Sequence, residues 1–279
     1  MIVDSHVHIW DLTRAKYPWL GPAMAPLDRS IDFTEVAPVL QERGIGGAVL
    51  VQASDEAADT EVMLDAAAEH PEVLGVVAWS PLDDAATLAA DLERFAELPV
   101  VGIRNLVHEH PREWLDRAAV REGLAVLAGS GLPLDFPTAS HHAIADVVRV
   151  GAHNPSLRIV IDHLGKPPIG GTPEERGEWR ALLSAAALNP LTVAKVSGLY
   201  AATGPLDSWT PELVRPFVED ALEFFGPGRL LYGGDWPIAI LAGGYARTWD
   251  AISGILATLT TRERDAILGR TAERVYSLR

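Results

Sequence analysis

The feature that most constrains the fold is a recurrence of short, apolar, β-branched runs separated by stretches long enough to form a helix. Eight such runs predict eight strands. They cover Ile2–His6, Ala48–Ala53, Leu74–Ser80, Val100–Asn105, Leu132–Phe136, Ile159–His163, Val193–Ser197 and Leu230–Gly234. Near-continuous apolar strands that alternate with helices indicate a parallel sheet whose faces are covered by those helices.

The segments between the strands carry helical periodicity and helix-start signals. The predicted helices include Asp55–His70, Asp84–Glu97, Arg112–Gly129, His142–His153, Pro173–Leu188 and Pro211–Phe225. Thr172 with Glu175 and Thr260 with Glu263 form capping boxes. Eight strand–helix units fit a closed (β/α)₈ TIM barrel, formed by residues 1–279 as a single domain, better than the alternative of an open sheet.

The amino-acid composition limits the kinds of molecule that the protein is expected to bind. The chain of 279 residues is 48% hydrophobic with a formal net charge of −15, which argues against binding to a phosphate backbone. No apolar run reaches the roughly 18 residues that span a bilayer, and no export signal precedes Ile2. With no cysteine and no signal, we expect a cytoplasmic protein that contacts neither nucleic acid nor membrane. The sequence is compatible with a homo-oligomer and does not determine the oligomeric state.

His6 and His8 lie at the end of the first predicted strand. Side chains repeat every second residue in a strand, so both rings point to one face and can close on one metal ion. Polar groups also end other strands, among them Arg104, Asp135, His163 and Asp235. In a closed barrel these ends meet at the active face, and strand eight lies beside strand one. Asp235 is therefore expected next to the histidine pair.

Several short motifs together resemble the lactonase branch of the amidohydrolase superfamily, over nearly the whole chain. They are Asp4-Ser5-His6-Val7-His8-Ile9-Trp10, Tyr17-Pro18-Trp19-Leu20, Gly102-Ile103-Arg104, Asp162-His163-Leu164-Gly165-Lys166-Pro167, Lys195-Val196-Ser197-Gly198-Leu199 and Gly234-Asp235-Trp236-Pro237. That branch includes sugar lactonases of the L-fuconolactonase and L-rhamnonolactonase type and the pyrone dicarboxylate lactonase.

The resemblance implies hydrolysis of a small-molecule lactone, most simply a sugar aldonolactone, by an activated water. Asp235 would then be the general base, and His163 with the His6–His8 pair would hold a metal or polarise the carbonyl. Arg104 would stabilise the oxyanion or bind a substrate carboxylate, and Lys166 would bind a hydroxyl or carboxylate of the substrate.

The metal content is an open expectation. Leu132–Phe136 offers no lysine to bridge two ions, so a two-metal site is not expected. A single Zn²⁺ or Mn²⁺ held by some of His6, His8, His163 and Asp235 is expected, although cationic donors alone could activate a lactone and make the ion dispensable.

Three further residues are candidates for contact with substrate. Asp135 ends a strand and would hydrogen-bond substrate or orient a ligand, unless it caps the following helix. Trp19 and Trp236 lie beside the expected mouth, where Trp19 would form a wall or simply pack down the long loop Asp11–Ile31.

A second His-x-His, His108 and His110, falls in a predicted loop and is not expected to form another metal site. Two other functions remain open. One is a metal-dependent decarboxylase on the same barrel, and the other is a barrel that binds a sugar acid without catalysis.

Overall fold

The computed structural model describes residues 1–278, and its eight strands all run parallel in the order β1 to β8. The strands are β1 Ile2–Val7, β2 Ile45–Val51, β3 Val73–Ala78, β4 Val100–Arg104, β5 Leu134–Phe136, β6 Ile159–Ile161, β7 Thr192–Val196 and β8 Leu230–Tyr232. Strand eight meets strand one just beyond its end, where the His8 N–H donates to the Trp236 carbonyl at 2.7 Å and the Asp235 N–H donates to the His6 carbonyl at 2.9 Å. The predicted (β/α)₈ barrel is confirmed.

A helix follows each strand and covers the outside of the sheet. The helices are α1 Phe33–Glu42, α2 Ala57–Glu69, α3 Ala85–Phe95, α4 Ala118–Ser130, α5 Ile144–His153, α6 Pro173–Ala187, α7 Pro211–Phe225, α8 Tyr245–Leu256, α9 Thr261–Asp265 and α10 Thr271–Val275. Both predicted capping boxes are present, at Thr172 before α6 and at Thr260 before α9. Among the described residues, no helix has the length and apolar character that crossing a membrane requires.

Two predicted elements differ from the observed ones for identifiable reasons. The helix predicted from Arg112 begins only at Ala118, because a short turn first buries Trp114 and Leu115. The strand predicted to reach His163 ends at Ile161, because His163 and Leu164 adopt left-handed backbone angles (φ 54° and 49°) that no strand can continue.

The core has two parts. The larger one lies between the sheet and the surrounding helices. The smaller one fills the barrel interior with inward valines of several strands, such as Val49, Val77 and Val193, and is closed at the amino-terminal end by Val275 and Tyr276. The carboxyl-terminal end remains open above this packed interior, and that end carries the polar strand termini.

Candidate functional site

A cavity of about 330 Å³ opens at the carboxyl-terminal end of the barrel. Its polar lining residues are His8, Arg104, His108, Glu109, Thr138, His163, Lys166, Tyr200 and Asp235. A larger cavity of about 670 Å³ lies at the opposite end, and among the described residues its lining contains Glu97 but no histidine. Working groups of a (β/α)₈ barrel sit at the carboxyl-terminal face, so the smaller cavity is the candidate site.

His6 and His8 are brought together at the floor of this cavity. Their Nε2 atoms lie 3.1 Å apart, and both rings are almost completely buried. The His8 Nδ1 atom lies 2.7 Å from the Val51 carbonyl oxygen. Burial lowers the pKa of His8 to about 3 and that of His6 well below its usual value, so both imidazoles are neutral near pH 7.

Asp235 faces three imidazoles. Its Oδ1 atom lies 3.9 Å from His6 Nε2, 3.8 Å from His8 Nε2 and 4.0 Å from His163 Nε2. The residue follows β8 with a left-handed φ of 53°, an uncommon conformation for a non-glycine residue that is typical of functional sites. Burial raises the pKa of the Asp235 carboxyl to about 7, against the opposing effect of the positive charges of Lys166 and Arg104. A carboxyl group poised near neutrality can accept a proton from water.

His163 and Lys166 come from one strained turn after β6. Three non-glycine residues of this turn, His163, Leu164 and Lys166, have positive φ values. The turn directs the His163 ring toward Asp235 and places the exposed Lys166 in the cavity wall. His163 Nδ1 lies 2.9 Å from Ser197 Oγ, which fixes the ring plane, and burial lowers the pKa of His163 to about 3.

Gly198 allows the chain that follows β7 to pass close to these groups. A Cβ atom at this position would lie 2.4 Å from His163 Nδ1 and 2.9 Å from Asp235 Oδ2, and the φ of +56° favours glycine as well. Glycine is thus needed here for His163 and Asp235 to approach each other.

Arg104 lines the cavity, but two of its nitrogen atoms already donate hydrogen bonds within the protein. Its Nε donates to Asp162 Oδ2 at 2.8 Å, and its Nη1 donates to the Gln52 carbonyl at 2.8 Å. The ion pair with Asp162 balances the guanidinium charge, while the side chain is held rigid at the cavity edge. Sequence reasoning identified Arg104 but not Asp162 as its partner.

A cluster of buried charges lies directly beneath the histidines. Lys195, fully buried on β7, contacts Asp135 Oδ2 at 2.5 Å, His6 Nδ1 at 3.0 Å and Asp162 Oδ1 at 3.3 Å. No role for Lys195 was predicted from the sequence. The available signal was a lysine inside an apolar strand, because lysine is almost never fully buried unless paired.

The structure differs from the sequence analysis at Asp135 and Trp236, which were expected to touch substrate. Asp135 is fully buried below the cavity, where its carboxylate accepts hydrogen bonds from Lys195 and from the Tyr276 hydroxyl. Trp236 is also buried outside the cavity lining, because its backbone joins β8 to β1. Neither position suits direct contact with substrate.

Trp19 combines the two roles weighed for it. Its Nε1 donates to the Ala53 carbonyl at 2.8 Å, which holds the loop after β1 against the barrel, and Trp19 also lines the cavity.

The second histidine pair does not converge. His108 lines the cavity, whereas His110 stacks on Trp114 with ring centroids 4.0 Å apart.

His6, His8 and Asp235 fit one metal ion by donor type and spacing, and His163 faces the same Asp235 carboxylate. Three imidazole nitrogens and a carboxylate oxygen suit zinc, and neighbouring donors of a tetrahedral zinc site lie about 3.3–3.4 Å apart. Among His6, His8 and Asp235 the separations run from 3.1 Å, between the Nε2 atoms of the two histidines, to 3.9 Å, between His6 Nε2 and Asp235 Oδ1, and His163 Nε2 lies 4.0 Å from that same oxygen. The Lys195 contact on His6 Nδ1 is unusual, since a ligating histidine normally donates its second N–H to an acceptor.

Known proteins resemble this chain over its whole length. Two curated relatives are named L-fucono-1,5-lactonase. The one from Burkholderia multivorans is 29% identical over 99% of this chain and 96% of its own, and the one from Burkholderia ambifaria is 30% identical over 86% and 82%. A crystal structure of a Burkholderia multivorans amidohydrolase with bound zinc is 30% identical, with a TM-score of 0.90 and complete coverage of both chains.

The family model described as amidohydrolase matches residues 3–278. That match includes every strand of the barrel except the first residue of β1, together with all the residues that surround the cavity floor. The chain belongs to the amidohydrolase family.

Proposed function

We propose that this protein hydrolyses a lactone, with Asp235 as the general base. The observation that carries the proposal is the Asp235 carboxyl, with a pKa raised to about 7, facing three neutral imidazoles at the floor of a small-molecule cavity. The name of the two Burkholderia relatives, L-fucono-1,5-lactonase, supports a sugar aldonolactone such as L-fuconolactone as the substrate, and L-rhamnonolactone is a second candidate of the same class. The cavity volume of about 330 Å³ lies within the roughly 300–1,000 Å³ range of small-molecule sites.

In this mechanism Asp235 accepts a proton from a water molecule as the water oxygen attacks the lactone carbonyl carbon. The ring C–O bond then breaks, and the leaving alkoxide takes the proton back from Asp235, which yields a hydroxy acid. Asp235 is fixed for this exchange because its backbone is hydrogen-bonded to β1 through the His6 carbonyl. The left-handed turn that holds His163 keeps the third imidazole opposite the carboxylate.

The cationic residues act on the oxygen atoms of the substrate. Arg104, held by Asp162 and Gln52, would stabilise the negative charge that develops on the carbonyl oxygen. Lys166 has an exposed ammonium group in the wall, where it would bind a hydroxyl of the sugar or a carboxylate. Trp19 would form an apolar wall against the ring.

A single divalent ion, Zn²⁺ rather than Mn²⁺ because the donors are mostly imidazoles, would be held by His6, His8 and Asp235, whose donor atoms lie within 4.8 Å of one another. His163, 4.0 Å from the Asp235 carboxylate, would be the fourth ligand. When bound, it would supply Lewis-acid polarisation of the carbonyl. The residues of the chain supply a base and cationic donors themselves, so we expect the ion to accelerate the reaction rather than to be essential for it.

The test is acid release, followed with a pH indicator, from a panel of aldonolactones, pyrones and muconolactones. The protein is tested as purified, after chelation and after zinc is restored. We expect release from at least one aldonolactone, a lower rate after chelation and recovery with zinc. No release from any lactone would contradict the proposal, and carbon dioxide release from aromatic carboxylic acids would favour the decarboxylase alternative.

A further inference from the structure

A row of hydrogen bonds runs from Lys195 through both histidine rings to the Val51 carbonyl. A neutral imidazole has one nitrogen that carries a proton and one that carries only a lone pair. The hydrogen-bond partners at the two ends of the row therefore determine which nitrogen of each ring carries the proton. Lys195, His6 and Val51 are completely buried, and His8 is exposed only where it lines the cavity.

The His8 end is decided by a carbonyl group. His8 Nδ1 lies 2.7 Å from the Val51 oxygen, and a carbonyl oxygen can only accept a hydrogen bond. The proton of the neutral His8 ring is consequently on Nδ1, and His8 Nε2 carries a lone pair. This arrangement is the ordinary one for a histidine that binds a metal through Nε2.

The His6 end is decided by an amine. His6 Nδ1 lies 3.0 Å from Lys195 Nζ, which donates and does not accept when it is an ammonium group paired with Asp135. His6 Nδ1 therefore carries the lone pair, and His6 Nε2 carries the proton. That Nε2–H group is 3.1 Å from the lone pair of His8 Nε2, to which it donates.

The opposite assignment of His6 satisfies fewer groups. With its proton on Nδ1, His6 would donate to Asp162 Oδ1, a buried oxygen that otherwise has no hydrogen-bond partner, but at the longer distance of 3.3 Å and while facing the N–H groups of Lys195. The two Nε2 lone pairs would then face each other at 3.1 Å without a proton between them. In the absence of an ion, the contacts at both ends of the row favour the same single arrangement.

We propose that Lys195 is a positioning residue that holds His6 in the Nε2–H form and thereby opposes metal binding at the His6–His8 pair. The ring is neutral in both forms. To ligate an ion through Nε2, His6 must move its proton to Nδ1, break its bond to His8 Nε2 and donate instead to Asp162 Oδ1. Lys195 must then direct its N–H groups to Asp135 and Asp162 alone. The ammonium group of Lys195 thus sets the affinity of these residues for the ion.

The first test is the tautomer of each ring in the intact protein. Long-range ¹H–¹⁵N spectra of protein labelled on histidine nitrogen distinguish Nδ1–H from Nε2–H forms, and the variants His6→Gln and His8→Gln assign the two rings. After chelation we expect Nε2–H for His6 and Nδ1–H for His8. One equivalent of zinc should convert His6 to the Nδ1–H form. An Nδ1–H or doubly protonated His6 in the chelated protein would overturn the proposal.

The second test measures zinc affinity by competition with a chelating dye. The double variant Lys195→Met with Asp135→Asn removes the amine without leaving an unpaired buried carboxylate, and the single variant Asp135→Asn is its control because it keeps Lys195 on His6. We expect the double variant to bind zinc at least about tenfold more tightly than the control, in line with the effect of groups behind metal ligands. Equal or weaker binding would contradict the proposal. If the double variant does not fold, the spectra of the unaltered protein decide.

These outcomes are independent of the proposed lactone hydrolysis. Tautomers and zinc affinity are measured without substrate. A protein that hydrolyses no lactone but has an Nε2–H His6 would contradict the proposed function and still support this inference.

Discussion

The chain contains the His-x-His pattern twice, and the two copies have different structures. His6 and His8 lie at the end of β1, with Nε2 atoms 3.1 Å apart. His108 and His110 lie in a turn after β4, where His108 reaches the cavity and His110 stacks on Trp114. Alternation of side chains in extended backbone makes the first pair converge, whereas a turn has no such period. The motif indicates a metal-binding pair only when its backbone is extended and a third group faces it.

The largest expected effect comes from removing the group that faces the first pair. Asp235→Asn preserves the shape of the side chain but cannot accept a proton at neutral pH. We expect kcat for lactone hydrolysis to fall by about 10²–10⁴-fold, the usual contribution of a general base, with the fold left intact. The control is Asp250→Asn, on the exposed surface of α8, which should retain full activity. Near-normal turnover by Asp235→Asn would remove Asp235 from the role of base.

Zinc binding should separate the two pairs directly. His8→Gln removes a proposed ligand, so we expect zinc affinity to fall by more than the roughly 10–100-fold that loss of a group behind a ligand costs. His108→Gln should bind zinc as tightly as the unaltered protein does. The measurement is competition with a chelating dye. Equal losses in the two variants would show that the comparison between the pairs is wrong.

Gly198→Ala should disturb the surroundings of the first pair while leaving every proposed ligand in the chain. The added Cβ would meet His163 Nδ1 at 2.4 Å, and the φ of +56° disfavours alanine. A displacement of about 1 Å in an active site can cost about 10²-fold in rate, and we expect a loss of that order in kcat. Gly129→Ala, where an added Cβ has no neighbour within 4 Å, is the matched control. Full activity of Gly198→Ala would show that the close approach at this position is not needed.

The pH dependence should reflect Asp235 and neither histidine of the first pair. Because the pKa of Asp235 is raised to about 7, the base is protonated and inactive below that pH and available above it. In chelated protein we expect kcat/KM to rise about tenfold per pH unit up to about pH 7 and then to level off. The pKa of His8, near 3, lies outside this window. A profile that is flat between pH 5 and about 8 would contradict the assignment.

The smallest expected effect is at the second pair. The His110 ring stacks on Trp114 with an interplanar angle of 5°. His110→Ala should lower the free energy of unfolding by about 0.5–1.5 kcal/mol, the usual contribution of an aromatic pair, and should leave kcat unchanged. Urea unfolding and the acid-release assay measure the two quantities. A large loss of activity would place His110 in the site.

The barrel, and most of the residues at the cavity floor, could be predicted from local sequence patterns. Strand and helix periods do not depend on distant residues, and the closure rule for eight parallel strands places Asp235 beside His6 although 229 positions separate them in the chain. The turn that carries His163 and Lys166 was not predicted, because non-glycine residues with positive φ have no clear signature in a single sequence. The beginning of α4 was misplaced because the burial of Trp114 in a preceding turn is a tertiary event.

By itself, the sequence determined the eightfold alternation of strands and helices, the polar ends of the strands and the convergence of His6 with His8, since each depends on backbone periods of a few residues. Only the tertiary structure decided that Asp135 lies below the cavity, that Trp236 joins the barrel edges and that Lys195 contacts His6. Those outcomes depend on which side chains share the closed barrel interior, where a buried charge must find a partner from another strand, and no local period encodes that choice.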